Sequence, residues 1–140
     1  MTLITDDTLP SVAIDFMNED HAAAGELINQ LHAELEQLAS GADQDRSRAT
    51  ALLEQFCEHN RAHFAHEQRE MERTGFPVYP VHKGEHDRVL AELAQVVLQW
   101  KDGMEAQDLQ RYLSGSVVPW LVNHIDTMDT VTAMFIARQG

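Results

Sequence analysis

The sequence predicts an all-α protein, an up-down-up-down four-helix bundle with an N-terminal arm. Three observations predict it. Apolar residues recur at helical spacing through four long segments. Short stretches of glycine, proline and helix-capping residues separate those segments. The 140 residues are 44% hydrophobic but only 6% aromatic, with 7 glycines, which suits packed helices joined by short connections. A chain of this length forms one domain with a real core.

Residues 1–17 are polar and acidic and include Pro10. Val12, Ile14 and Phe16 alternate with polar residues, as in an extended arm that covers one end of a bundle; a short edge strand would have no obvious partner. The bundle domain is then expected over 18–140. Its first helix is expected near Asn18, a candidate N-cap followed by acidic residues. Ala24, Ile28, Leu31, Leu35 and Leu38 form its apolar stripe, and His21 extends that stripe inward at the N-terminal end. His32 lies eleven residues later, about 16 Å along the axis, beyond one compact site. Ser40 and Gly41 end the helix, and Asp43 is placed to cap the next.

The second helix is expected from about Gln44 to Thr74, with Leu52, Phe56, His63, Glu67 and either Glu70 or Met71 inward and Gly75 closing it. Pro80 suits the first turn of a third helix that ends near Gly103 and carries His82, His86, Leu90, Leu93, Val97 and Trp100 on one face. Gly84 costs that helix about 1 kcal/mol relative to alanine. It serves the close approach of a neighbouring backbone or is simply tolerated. The fourth helix starts near Ala106 to Asp108 and buries Leu109, Leu113, Val117, Trp120, Leu121 and His124. Pro119 inside this pattern predicts a kink near Gly115 to Ser116.

Composition excludes several functions. A net charge of −13 argues against nucleic acid and anionic membrane surfaces as partners. The single cysteine, Cys57, rules out an internal disulfide and a thiolate-based site, and fits a reducing compartment. No basic stretch followed by an apolar one opens the chain, and no apolar run is long enough for a bilayer. A soluble, cytoplasmic protein is expected.

The chemistry concentrates between His63 and His86. His63 and Glu67, and His82 and His86, are i,i+4 pairs on either side of the breakers Gly75, Pro77 and Pro80. Residues four apart lie about 40° apart around a helix, so each pair aims at one point. Each helix contributes inward ligand candidates: His21; His63 and Glu67; His82 and His86; His124 and Asp129. His124 and Asp129 are five apart, about 140° on an ideal helix. A π-type widening, or a break after Ile125, is needed to bring them together.

If each carboxylate bridges two metals and one oxo or hydroxo bridge is added, the metal with three imidazoles has six ligands. The metal with two has five, leaving one open position. Imidazole and carboxylate at such sites suit iron or manganese better than zinc or copper.

The same residues resemble the hemerythrin family in its single-domain bacterial form. The resemblance rests on His21, on His63-Phe64-Ala65-His66-Glu67, on Tyr79 through Asp87 and on Trp120 through Asp129, and runs from about Ile14 to the C-terminus. It implies that His82, His86 and His124 hold the saturated iron, that His21 and His63 hold the iron with the open position, and that Glu67 and Asp129 bridge. It implies two Fe ions in an oxo- or hydroxo-bridged di-iron centre that reversibly binds O2, for carriage, storage or delivery to an oxygen-using enzyme as protein partner. Three departures stand out. Gln68 occupies a position where many relatives carry a second acid, Pro119 precedes Trp120, and the arm lacks tryptophan.

The chain contains no Glu-x-x-His, the motif of the carboxylate-rich bundle oxygenases and ferritins. An imidazole-rich pair donates less electron density, which favours binding over O–O cleavage, so a non-enzymatic monomer is expected. The competing readings are an O2, redox or nitric-oxide responsive di-iron protein and a di-iron oxidase or peroxidase. His59 is the rival ligand on the second helix, but it lies a turn further from the group. His66 is expected to be partly exposed, His32 to be a hydrogen-bonded histidine at the far end, and Cys57 to be a small half-buried side chain.

Overall fold

The computed structural model describes residues 2–42 and 44–139. Three long helices, α1 (Asp15–Ala39), α2 (Ser47–Thr74) and α3 (Tyr79–Lys101), precede a fourth rod. That rod is built from α4 (Ala106–Tyr112), α5 (Val118–His124) and α6 (Thr130–Arg138), joined by π-helical turns at Leu113–Val117 and Ile125–Asp129. The first helix packs on the second, the second on the third, and α1 on α4; the end of the fourth rod, α6, also meets α2. Among the described residues there is no strand, and no helix is long and apolar enough to cross a membrane.

The first helix begins at Asp15, before Asn18. The Asn18 amide turns back on the preceding segment, accepting from Val12 N–H and donating to Val12 O at 2.9 and 2.8 Å. Asn29 holds Ile4 in the same two-sided way at 2.9 and 2.7 Å. These two clamps lay the leading segment along α1 and bury Ile4. The second helix starts at Ser47, later than Gln44. The Asp45 carboxylate accepts from the Ser47 N–H and hydroxyl there. Asp43, the expected cap, lies outside the described residues. Gly75 closes α2 in the left-handed region (φ 69°), where a side chain would be strained.

Two apolar clusters fill the bundle. The larger contains Ile28, Leu31, Leu53, Phe56, Leu93 and Trp100, and the smaller Met71, Phe76 and Ile136. Met71, rather than Glu70, turns inward; Glu70 pairs with Arg73. On α3, Val89 and Val96 are fully buried, while Leu90 and Val97 pack at the margin. The inward stripe is therefore rotated slightly from the expected one. On α2, α3 and the fourth rod the polar ligand candidates fall where the larger cluster gives way to the smaller, so a polar layer interrupts an otherwise apolar interior.

The Pro119 irregularity takes the form of a π turn. Val118 N–H bonds to Leu113 O, five residues back, immediately before the proline. The widened turn ends where Pro119 would withhold an N–H and crowd the preceding carbonyl.

Gly84 has nothing within 4 Å of a built Cβ and no left-handed φ. No neighbouring backbone approaches it, so the glycine is simply tolerated. Gly84→Ala is expected to stabilise the protein by about 0.5–1 kcal/mol, read by urea denaturation with an unchanged slope.

Candidate metal centre

All seven side chains singled out in the sequence converge in the polar layer, and all are buried. They form two overlapping groups: Glu67, His82, His86, His124 and Asp129; and His21, His63, Glu67 and Asp129. Within each group one ligand atom per residue lies within 4.8 Å of the others.

The two carboxylates divide their oxygens between the groups. Glu67 Oε2 stands 3.0 Å from His63 Nε2, and Oε1 stands 3.2 Å from His86 Nε2. Asp129 Oδ2 stands 3.0 Å from His21 Nε2, while Oδ1 stands 3.1 Å from His82 Nε2 and 3.2 Å from His124 Nε2. His82 Nε2 and His124 Nε2 are 3.2 Å apart. Two ligands each about 2.1 Å from one ion and at right angles stand about 3.0 Å from one another, so these spacings match edges of a coordination polyhedron.

The π turn brings Asp129 into both groups. Thr130 N–H bonds to Ile125 O, an i to i+5 bond, and its hydroxyl joins the same carbonyl at 2.8 Å. One extra residue in the turn returns Asp129 to the face of His124. The i,i+4 pairs on α2 and α3 need no such device.

The imidazoles are held from behind. His63 Nδ1 donates to Asp20 Oδ2 at 2.8 Å, and His86 Nδ1 donates to Gln68 Oε1 at 3.1 Å. His82 Nδ1 meets Thr132 Oγ1 at 2.8 Å. A carboxylate or amide oxygen only accepts, so the Asp20 and Gln68 contacts place the proton of His63 and His86 on Nδ1 and turn Nε2 to the centre. Aromatic rings brace the same groups: Phe64 stacks on His86 at 3.9 Å and Trp120 on His124 at 4.6 Å, while Trp120 Nε1 donates to Glu85.

Glu67 Oε1 and Oε2, Asp129 Oδ1 and the Nε2 atoms of His21, His63 and His86 are buried without a hydrogen-bond partner. Buried acceptors facing one another are costly unless a cation lies between them. The donor set, five imidazoles and two carboxylates, suits a divalent transition metal such as iron. The groups also shift one another's proton affinity. Burial alone would push His63 down, but Glu67 and Asp20 outweigh it and raise it to about 9. Burial and Asp129 would push Glu67 up, but His63 and His86 pull it down to about 2. Asp129 moves the same way, lowered against burial by His124, His21 and His82. Burial lowers His86.

Sequence reasoning missed the supports. Asp20, Gln68 and Thr132 gain their roles only when α1 meets α2, α2 meets α3, and α3 meets the fourth rod. No spacing within one segment marks them, although Gln68 adjoins Glu67. The other histidines lie outside the two groups. His59 donates to the Asp20 carbonyl at 2.8 Å, His66 is half-buried and stacks on Phe16 at 3.8 Å, and His32 meets Glu36 at 2.9 Å. Cys57 is half-buried, and burial, with Glu54, pushes its thiol up to about 11, far from a reactive thiolate.

Residues 12–136 match the Hemerythrin HHE cation binding domain. The chain is 30% identical to a bacteriohemerythrin of Aquifex aeolicus over 131 residues, covering 94% of this chain and 95% of that protein. It is 32% identical to a bacteriohemerythrin of Ralstonia nicotianae over 121 residues, covering 86% and 80%. Crystal structures of hemerythrin point mutants superpose with a TM-score of 0.81 at 26% identity, over 98% of this chain and 99% of theirs.

The proton-linked pair predicts a pH dependence in the metal-free protein. His63 is raised from 6.5, so its contribution is complete below pH 6.5 and is lost as pH rises through about 9. Glu67 is lowered from 4.5, so its contribution is complete above pH 4.5 and is lost as pH falls through about 2. Glu67→Gln removes the main source of the His63 shift. The urea-stability gap between metal-free wild type and this variant should therefore shrink as pH rises from 6.5 towards 9.

Proposed function

The chain belongs to the hemerythrin family, and from that premise we propose that it holds two iron ions and binds O2 reversibly at one of them. One observation carries the reading: each of two carboxylates turns one oxygen to a group of three imidazoles and the other to a group of two. Five protein donors then meet at one point and four at the other. Two irons held there with one shared oxo or hydroxo bridge would leave the four-donor group able to take an outside ligand.

In this reading His82, His86 and His124 would hold the complete iron, His21 and His63 the open one, and Glu67 and Asp129 would serve both. The adjacent ferrous ions, when bound, supply the electrons that O2 binding draws on. The chain's own residues keep the site dry and rigid. Ile125, next to His124 in the chain, and Met17, one helical turn before His21, are fully buried, and Phe64 and Trp120 cover His86 and His124. Excluding water limits the proton leakage that would turn binding into irreversible oxidation. The imidazole-rich donor set favours binding and release over O–O cleavage, so the role proposed is carriage, storage or delivery of O2 by a cytoplasmic monomer, not catalysis.

The test is optical. The reduced, iron-loaded protein should be colourless, gain visible charge-transfer absorption on adding O2, and lose it under vacuum with the reduced form recovered. Oxidation that vacuum does not reverse, with O2 consumed over repeated turnovers, would replace the carrier reading with an enzymatic one.

A further inference from the structure

The supports behind the imidazoles differ in charge. His86 leans on the neutral amide of Gln68 and His82 on the neutral hydroxyl of Thr132, whereas His63 leans on the carboxylate of Asp20. Asp20 is fixed from three directions. It precedes His21 in the chain, its carbonyl accepts from His59 Nε2 at 2.8 Å, and its carboxylate reaches His63 at 2.8 Å. The His59 ring lies nearly parallel to His63, with centroids 6.3 Å apart. The Asp20 side chain is 31% exposed and the His63 side chain 5%. One residue thus joins both imidazoles of the smaller group, His21 through the backbone and His63 through a charged hydrogen bond.

We propose that Asp20 is a positioning residue that raises the donor strength of His63, and so makes the iron of the two-imidazole group easier to oxidise and harder to remove. This rests on the two-iron reading above. A carboxylate accepting the Nδ1 proton makes the ring a more basic ligand, while an amide or hydroxyl does so weakly. A more basic ligand favours the higher charge on the metal, which lowers the reduction potential. The negative outer charge is placed on the side proposed to meet O2, where the readiness to give an electron matters.

Asp20→Asn tests the charge alone, because the amide oxygen can still accept from His63 with nearly the same shape. In iron-loaded protein, chelator should strip one of the two irons about 10- to 100-fold faster than in wild type. The other iron should leave at the wild-type rate, and the midpoint potential of the pair should move to more positive values. Asp20→Glu keeps the charge and should restore most of both properties. Circular dichroism of the metal-free variants checks that the helices persist.

Wild-type protein that fails to hold two irons would refute the underlying reading. Two irons in wild type, with unchanged stripping and potential in Asp20→Asn, would refute only the role of Asp20. Equal losses in Asp20→Asn and Asp20→Glu would show that the shape of the side chain matters and its charge does not, which also overturns the proposal.

Discussion

Two carboxylates buried among five imidazoles are the constraint to which the rest of the bundle answers. Glu67 and Asp129 are almost wholly removed from water, and a bare buried carboxylate is among the most costly groups an interior can contain. Neither is paired with arginine or lysine. Their oxygens face ring nitrogens that turn lone pairs towards them unless protonated, so only protons or cations between the groups relieve the repulsion. The proton affinity of His63, raised by Glu67 and Asp20, offsets part of that repulsion without a metal, and an ion bound there would displace the proton. Folding, proton release and metal affinity are therefore linked at a single layer of the bundle.

The backbone is arranged to serve that layer. On α2 and α3 the ordinary helical repeat brings candidate ligands four apart to one point. The fourth rod has to present residues five apart, and it does so by adding one residue to a turn, with His124 and Thr130 on either side still right-handed helical. A second π turn, at Leu113–Val117, accommodates Pro119 in the same rod. Apolar clusters above and below keep the layer dry, and ring stacking by Phe64 and Trp120 fixes the imidazole planes. Rigidity here has a chemical purpose, since the donor positions must already be set when the metal arrives.

Much of this was readable in the sequence because the informative signals are local. His63 with Glu67 and His82 with His86 declare themselves by spacing, and the five-residue step from His124 to Asp129 announces its own irregularity. Gly75 and Pro80 mark a helix end and a helix start. Signals that depend on packing were not readable. Asn18 looks like a helix cap, yet its amide is used to clamp Val12, and the helix begins at Asp15. Whether Leu90 or Val89 turns inward depends on a small rotation of α3 that no periodicity resolves. Asp20 looks like one acid in an acidic stretch until α2 brings His63 beside it.

The account comes down to how many ions the layer holds and how many outside ligands they accept. Native mass spectrometry of the oxidised, iron-loaded protein, with and without azide, addresses both at once. One chain with two irons is expected, and a single azide added when that anion is present. A chain that saturates at one iron, or a pair that takes up two azides, would contradict it.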